Sequence, residues 1–351
     1  MRIAQIAPLA EAVPPKFYGG TERVVSYLTE ELVNLGHDVT LFASGDSVTR
    51  AELDAVWPQA LRLDPTIRDG LAPLAMLLER VRQRADEFDV LHFHLDYWPA
   101  SLFARHHIPY VTTLHGRLDL PELRPVYAEL PPMNVVSISE SQRRPLKEAN
   151  YVGTVLHGLP ADLLTPHPAA RPSYLAFLGR ICPEKRPDRA IRIARAAGIP
   201  LKIAAKVDKV DLEYFETVIE PMLAEGGVEL VGEINEAQKP AFLGNAQALL
   251  MPIDWPEPFG LVMIEAMACG TPVIAYNHGS VPEIIDEGIT GFIVEDEMGA
   301  VAALRRLPEI SRAQVRATFE RRFTARRMAE DYLAIYRDLS MARRPRLRIV
   351  G

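Results

Sequence analysis

Residues 251–283 read MPIDWPEPFGLVMIEAMACGTPVIAYNHGSVPE, and this stretch decides the fold. Leu261 to Ala268 is a run of good helix formers, and Gly270, Thr271 and Pro272 stop it. Val273-Ile274-Ala275 then reads as a short buried strand. The helix begins near Phe259–Gly260, with its first amides unpaired and its positive dipole end facing a cleft, which suits a phosphate group. Glu257 stands just before that end, and Glu265 lies about one and a half turns inside it. One carboxylate reaches past the phosphate in one direction and the other in the opposite direction. A sugar nucleotide has that layout: sugar, diphosphate, ribose. The plain alternative is two solvent-facing glutamates, and the apolar residues around both speak against it.

Outward from this stretch, the chain reads as strands alternating with helices, twice over. Arg2–Pro8 alternates toward a buried first strand, followed by a loop with Pro14-Pro15 and Gly19-Gly20. A helix from Thr21 through Leu35 ends at Gly36, and Val39–Ala43 is the next strand. Further strands are expected at Val90–Phe93, Tyr110–Leu114, Val135–Ile138 and Tyr151–Leu156, with a helix at Leu71–Phe88. Pro160, Pro166, Pro168 and Pro172 mark Leu159–Ser173 as a linker. The pattern then restarts with strands at Tyr174–Leu178, Leu201–Ala205, Val228–Val231 and Ala248–Pro252, and helices at Asp188–Ala197, Glu213–Glu225 and Lys239–Asn245. Ser311–Ser340 is arginine-rich and helical. The expectation is α/β: two Rossmann-like doubly wound domains facing a cleft, with ligands beyond the carboxyl ends of the strands.

Bulk properties agree with two domains, since 351 residues exceed one typical core. A net charge of −7 leaves no global basic field for nucleic acid. Basic clusters remain at Arg143-Arg144 with Lys147, at Arg321-Arg322 with Arg326-Arg327, and in the tail at Arg343-Arg344 with Arg346 and Arg348. Each reads first as a solvated face; peripheral contact with anionic lipid, or with an acidic acceptor, is the alternative. Cys182 and Cys269 suggest no disulfide framework, and no Cys/His cluster has zinc spacing. The opening MRIAQIAPLA is too short and weakly charged for a signal peptide, and no apolar run has transmembrane length. A cytoplasmic protein is the simplest account.

The 251–283 segment resembles the donor-binding signature of retaining glycosyltransferases of family 4, which have the GT-B fold. The shared pattern is Glu-Pro-Phe-Gly-Leu, four variable residues, Glu-Ala-Met-Ala-x-Gly-x-Pro-Val-Ile-Ala, and then Gly-x-x-Pro-Glu, matched here through Glu283. The resemblance implies that Glu257 contacts donor sugar hydroxyls and Glu265 the nucleotide ribose. The amides of Gly260 and Leu261, beside Phe259, would hold the distal phosphate. It also implies a last helix, near Phe323–Leu339, that crosses back onto the first domain. The expected divisions are therefore 1–160 for the acceptor domain, 161–325 for the donor domain, and 326–351 for the returning helix and basic tail.

The same resemblance places other residues. In Phe177-Leu178-Gly179-Arg180 and the following Pro183-Glu184-Lys185, Arg180 and Lys185 would supply two cations to the donor diphosphate. Arg180 offers a planar fork and Lys185 a point charge, both aimed where negative charge grows as the glycosidic bond breaks. Tyr18-Gly19-Gly20-Thr21 would close over the donor phosphates; it lacks the third glycine of a dinucleotide fingerprint. His115, at a strand end, would contact the donor sugar. The Glu233-Ile234-Asn235 loop would meet the base, with Ile234 at its centre. His92 and His94 alternate on one strand and with Asp96 imitate a metal site, but the family uses no metal there; their role reads as structural or acceptor-side. Ser139 reads as a helix N-cap. Lys206 and His157 depart from the family pattern.

The implied activity is retaining transfer of a hexose from a nucleoside-diphosphate sugar, UDP-glucose first and GDP-mannose second, to an unidentified hydroxyl acceptor. No metal and no further cofactor is implied. A sugar-nucleotide epimerase of the same architecture and a non-catalytic sugar-nucleotide sensor are the alternatives.

Overall fold

The computed structural model describes residues 1–16, 19–167 and 170–342. Tyr18, Pro168 and the basic tail Arg343, Arg344, Arg346 and Arg348 lie outside the described residues. The chain divides into two units, one formed by Met1–Gly158 with the chain from Ala325 onward, the other by Leu159–Thr324. The divisions fall within two residues of the expected 160/161 and 325/326.

The first unit holds seven strands: β1 Arg2–Ile6, β2 Asp38–Ser44, β3 Glu52–Trp57, β4 Val90–Phe93, β5 Tyr110–Thr113, β6 Val135–Ser137 and β7 Tyr151–Thr154. They form one sheet in the order β3-β2-β1-β4-β5-β6-β7, every pair parallel. The second unit holds β8 Tyr174–Arg180, β9 Leu201–Lys206, β10 Val228–Gly232, β11 Ala246–Met251, β12 Val273–Tyr276 and β13 Gly291–Val294. Their order is β10-β9-β8-β11-β12-β13, again all parallel. Strand order therefore reverses twice, beside β1 and beside β8. That reversal is where doubly wound sheets open a binding crevice.

The first strand corrects one expectation. Ile3, Ala4, Gln5 and Ile6 are all buried, so β1 is covered on both faces rather than alternating. A central parallel strand lies between two helical layers, which explains the continuous burial. Among the elements that escaped the sequence reading are β3, β13 and the Glu297–Arg306 helix. The helix expected at Glu213–Glu225 is broken by a π-helical turn at Phe215–Ile219, just before Pro221. Proline supplies no amide for the ladder, so a wider turn absorbs the gap.

The arginine-rich C-terminal segment is two helices, Arg312–Arg322 and Ala325–Ala342, split at Phe323–Thr324. The second belongs to the first unit and packs beside the Gly20–Asn34 helix. Among the described residues no helix is long and apolar enough to cross a membrane.

Candidate functional site

In the second unit, β11 ends at Met251 and the chain passes through Glu257 into the Leu261–Ala268 helix. Gly260 precedes that helix at φ 82°, and a Cβ there would lie 2.8 Å from Met263 Cε and 3.3 Å from Glu257 Cγ. Only glycine fits both conditions. With no side chain capping the helix, its first amides stay available to an anion. Glu257 and Glu265 are 8% and 4% exposed, which rules out the solvent-facing alternative.

Glu257 is gripped from two sides. Its Oε2 accepts from the Lys185 ammonium, which also stands 4.8 Å over the Trp255 ring. Its backbone is packed by Gly279, where a Cβ would fall 2.3 Å from the Glu257 carbonyl oxygen. The Ser280 amide donates to that oxygen at 2.9 Å, and Ser280 Oγ donates to the Phe259 carbonyl at 2.7 Å. The Gly-Ser-Val-Pro-Glu end of the motif thus holds the turn that presents Glu257.

Arg180 ends β8 and is paired in register with Lys206 at the end of β9. Three carboxylates surround its guanidinium: Asp211 at 3.4 Å, with Glu184 and Asp208 at 3.7 Å. Lys206 reaches Asp208 at 2.8 Å. The intervening loop is tied to the Glu257 segment, because Arg186 bonds Asp188 and Asp254, and the Asp254 amide donates to the Glu184 carbonyl at 2.9 Å. This strapping brings Lys185 to Glu257 across 72 residues of sequence. Ile234 is half-buried in the loop after β10, where Asn235 and Gln238 exchange two hydrogen bonds. Lys239 follows and donates to Glu236 at 2.8 Å and to Glu265 Oε1 at 2.6 Å. Eight of the expected site residues therefore lie in this unit: Arg180, Lys185, Ile234, Glu257, Phe259, Gly260, Leu261 and Glu265.

Gly19, Gly20 and His115 lie in the first unit. Gly19 precedes the Gly20–Asn34 helix, and a Cβ on it would meet Pro15 Cβ at 2.8 Å. His115 follows β5 in a network of neutral groups. His94 bonds His115 Nε2 through Nδ1 at 2.9 Å and Gln5 Oε1 through Nε2 at 2.9 Å. Gln5 Nε2 donates to Tyr336 at 3.1 Å, and Tyr336 bonds His92 Nδ1 at 2.6 Å. His92 Nε2 bonds Thr113 Oγ1 at 2.7 Å, and Thr113 bonds Tyr332 at 2.9 Å.

With the Gln5 amide nitrogen toward Tyr336, the proton positions follow in sequence. Gln5 Oε1 accepts from His94 Nε2–H, so His94 Nδ1 accepts from His115 Nε2–H, and His115 keeps its lone pair on Nδ1. Desolvation holds the His115 imidazole down to about 3, and holds His92, His94 and His157 well below their ordinary value. The ring of His157 stacks on that of His115 at 5.3 Å. His92 and His94 thus take the structural reading. Ser139 caps its helix, accepting from the Gln142 amide at 3.0 Å.

Sequence reasoning missed Lys239, Asp211, Gln5, Tyr332 and Tyr336. Their partners are remote in sequence, up to 331 positions for Gln5 and Tyr336. Ser280 and Gly279 lay within the quoted motif without an assigned task. One basic cluster, Arg321-Arg322 with Arg326-Arg327, is paired with nearby carboxylates: Arg322 bonds Asp286 at 2.6 Å, and Arg327 bonds Asp331 at 2.7 Å. Among the described residues one group, Asp86 with His106 and His107, has metal-compatible spacing. His106 Nδ1 there accepts from the Ile108 amide at 3.3 Å.

Two family models match the chain: Glycosyltransferase Family 4 over residues 18–155 and Glycosyl transferases group 1 over residues 166–320. The chain is 27% identical to alpha-maltose-1-phosphate synthase of Mycolicibacterium smegmatis, over 96% of this chain and 100% of that protein. Among solved structures it is similar to AviGT4, a glycosyltransferase involved in avilamycin A biosynthesis, with TM-score 0.74 and 23% identity over 97% of this chain and 98% of that one. It is also similar to Alr3699/HepE of Anabaena in complex with UDP and glucose, with TM-score 0.71 and 18% identity over 95% and 98% of the two chains.

Proposed function

The chain belongs to glycosyltransferase family 4 with the GT-B fold, and from that premise we propose that it transfers a hexose, with retention, from a nucleoside-diphosphate sugar to an acceptor hydroxyl. The Lys185–Glu257 pair at the uncapped start of the Leu261–Ala268 helix carries this reading. It sets a cation, a carboxylate and free amides around one point. A diphosphate takes the amides and the cations, and a sugar hydroxyl takes the carboxylate. UDP-glucose is the first donor, supported by the Anabaena neighbour's complex with UDP and glucose; GDP-mannose is the second.

In the proposed reaction, the bond between the anomeric carbon and the phosphate oxygen breaks with its electron pair leaving on the diphosphate. The acceptor oxygen bonds to the same face of that carbon, and its proton passes to the departing phosphate oxygen. Arg180 and Lys185 stabilise the charge that grows there, and Glu257 orients the sugar. His115 is assigned to a donor-sugar hydroxyl, which it accepts through Nδ1 as a neutral ring. No step needs a metal.

The test incubates the full chain with UDP-glucose or GDP-mannose and a panel of hydroxyl acceptors, and follows nucleoside diphosphate release. Acceptor-dependent release, with a product of retained anomeric configuration by NMR, is the expected result. Donor binding without release points to a sensor, and an epimerised sugar nucleotide points to an epimerase; either overturns the reading.

A further inference from the structure

Lys239 opens the short Lys239–Gly244 helix, where a positive charge is unfavourable, and it is 8% exposed. A buried ammonium at such a place needs strong partners. Among them are Glu236, at 2.8 Å on the turn after the Glu233–Asn235 loop, and Glu265 Oε1, at 2.6 Å on the helix facing it. The ammonium thus ties the loop after β10 to a buried carboxylate 26 positions away.

We propose that Lys239 is a positioning residue for recognition of the ribose diol of a nucleoside diphosphate. It fixes Oε1 of Glu265 and leaves Oε2 to accept from a ribose hydroxyl. The inference rests on the donor reading above, which assigns Glu265 to the ribose. Without the ammonium, the carboxylate loses the bond that fixes its orientation. It then meets a ribose hydroxyl poorly, and the distinction between ribose and its deoxy analogues collapses. Glu236 makes the device responsive to the loop, because movement of that turn pulls on the same ammonium.

The test is calorimetry on the full chain with UDP, 2′-deoxy-UDP and 3′-deoxy-UDP, or the guanosine set if GDP binds more tightly. Wild type is expected to prefer the ribonucleotide over at least one deoxy form by roughly tenfold or more, the range of a hydrogen bond to a charged group. Lys239→Met is expected to bring that ratio to near one, raise the Michaelis constant for the donor, and leave kcat within about threefold. Lys239→Arg is expected to restore part of the ratio.

A merely structural lysine would lower the melting temperature and leave the ratio untouched. That result overturns the proposal. If Lys239→Met does not fold, Lys239→Met with Glu265→Gln replaces the charged pair by a neutral one. A wild-type ratio in that variant is equally fatal. If wild type binds UDP but ignores the ribose hydroxyls, the Glu265 assignment falls, and Lys239 with it. If wild type binds no nucleoside diphosphate, the donor reading itself is wrong.

Discussion

The two units solve the same sheet topology with opposite polar chemistry. The first gathers uncharged groups around β4 and β5: four desolvated histidines, with two tyrosines, Gln5 and Thr113 bonded into their network. The second uses ion pairs: Lys185 with Glu257, Arg180 with three carboxylates, and Lys239 with two. A neutral network has fixed proton positions and is rigid, and it costs little to bury once every bond is made. A charged pair is also satisfied, but it can trade one partner for another of the same sign. A diphosphate can take a carboxylate's place beside Arg180 or Lys185. The first unit is therefore built to hold a geometry, and the second to exchange one set of anions for another.

The largest test of that contrast removes the cations. Arg180→Ala and Lys185→Ala are each expected to lower turnover roughly a hundred- to a thousand-fold, the scale of a lost transition-state charge contact, with a much smaller change in melting temperature. Parental turnover in both variants would remove the second unit's side of the comparison.

Next in size is a difference between the two buried glutamates. Glu257→Gln should mainly lower turnover. Glu265→Gln should weaken binding of the free nucleoside diphosphate, by roughly ten- to a hundredfold, because that molecule carries the ribose without the sugar. Calorimetry decides between them, and equal loss of nucleotide affinity in both variants rejects the assignment.

Acid should then separate the units. The folded His115 imidazole titrates at about 3, against about 6.5 when unfolded. Between those values the unfolded chain binds the extra proton, so stability falls as pH drops below about 6.5. The loss is at most ~1.4 kcal/mol per pH unit for each such histidine, and His92, His94 and His157 act in the same direction. Hydrogen exchange between pH 7.5 and 5 is expected to show the first unit opening before the second; parallel opening would blur the contrast.

The smallest expected effect is none. EDTA should leave sugar transfer unchanged, because cations and helix amides are assigned to the diphosphate. Loss of transfer, restored by a divalent ion, would show that the second unit's charge chemistry has been misread.

Much of this was legible in one stretch of chain. The 251–283 segment showed the helix, its open end and both glutamates, because capping and carboxylate placement are local. The β3 strand was not legible: Glu52 and Asp54 interrupt it, and it lies at a sheet edge where Arg80 and Arg84 pair with Asp54. Edge strands tolerate such charges, which erases the apolar signal. Lys239 was equally silent, since nothing in Gln238-Lys239-Pro240 says that a carboxylate waits across the unit. The histidine network hid for the same reason, with half its members near residue 100 and two past residue 330.

That distance has a consequence for how the molecule is made. Gln5 and His92 are bonded to Tyr336, and Tyr332 and Tyr336 are wholly buried in the first unit. A chain still on the ribosome has made Met1–Gly158 long before it makes these tyrosines. The emerging first unit is short of two large core residues and the bonds they supply, while the second unit, continuous from Leu159 to Thr324, is complete within itself. Birth order and completion order are therefore reversed. The amino-terminal unit is the first synthesised and the last finished, and premature termination between Thr324 and Tyr332 leaves it, not the second unit, with the open core.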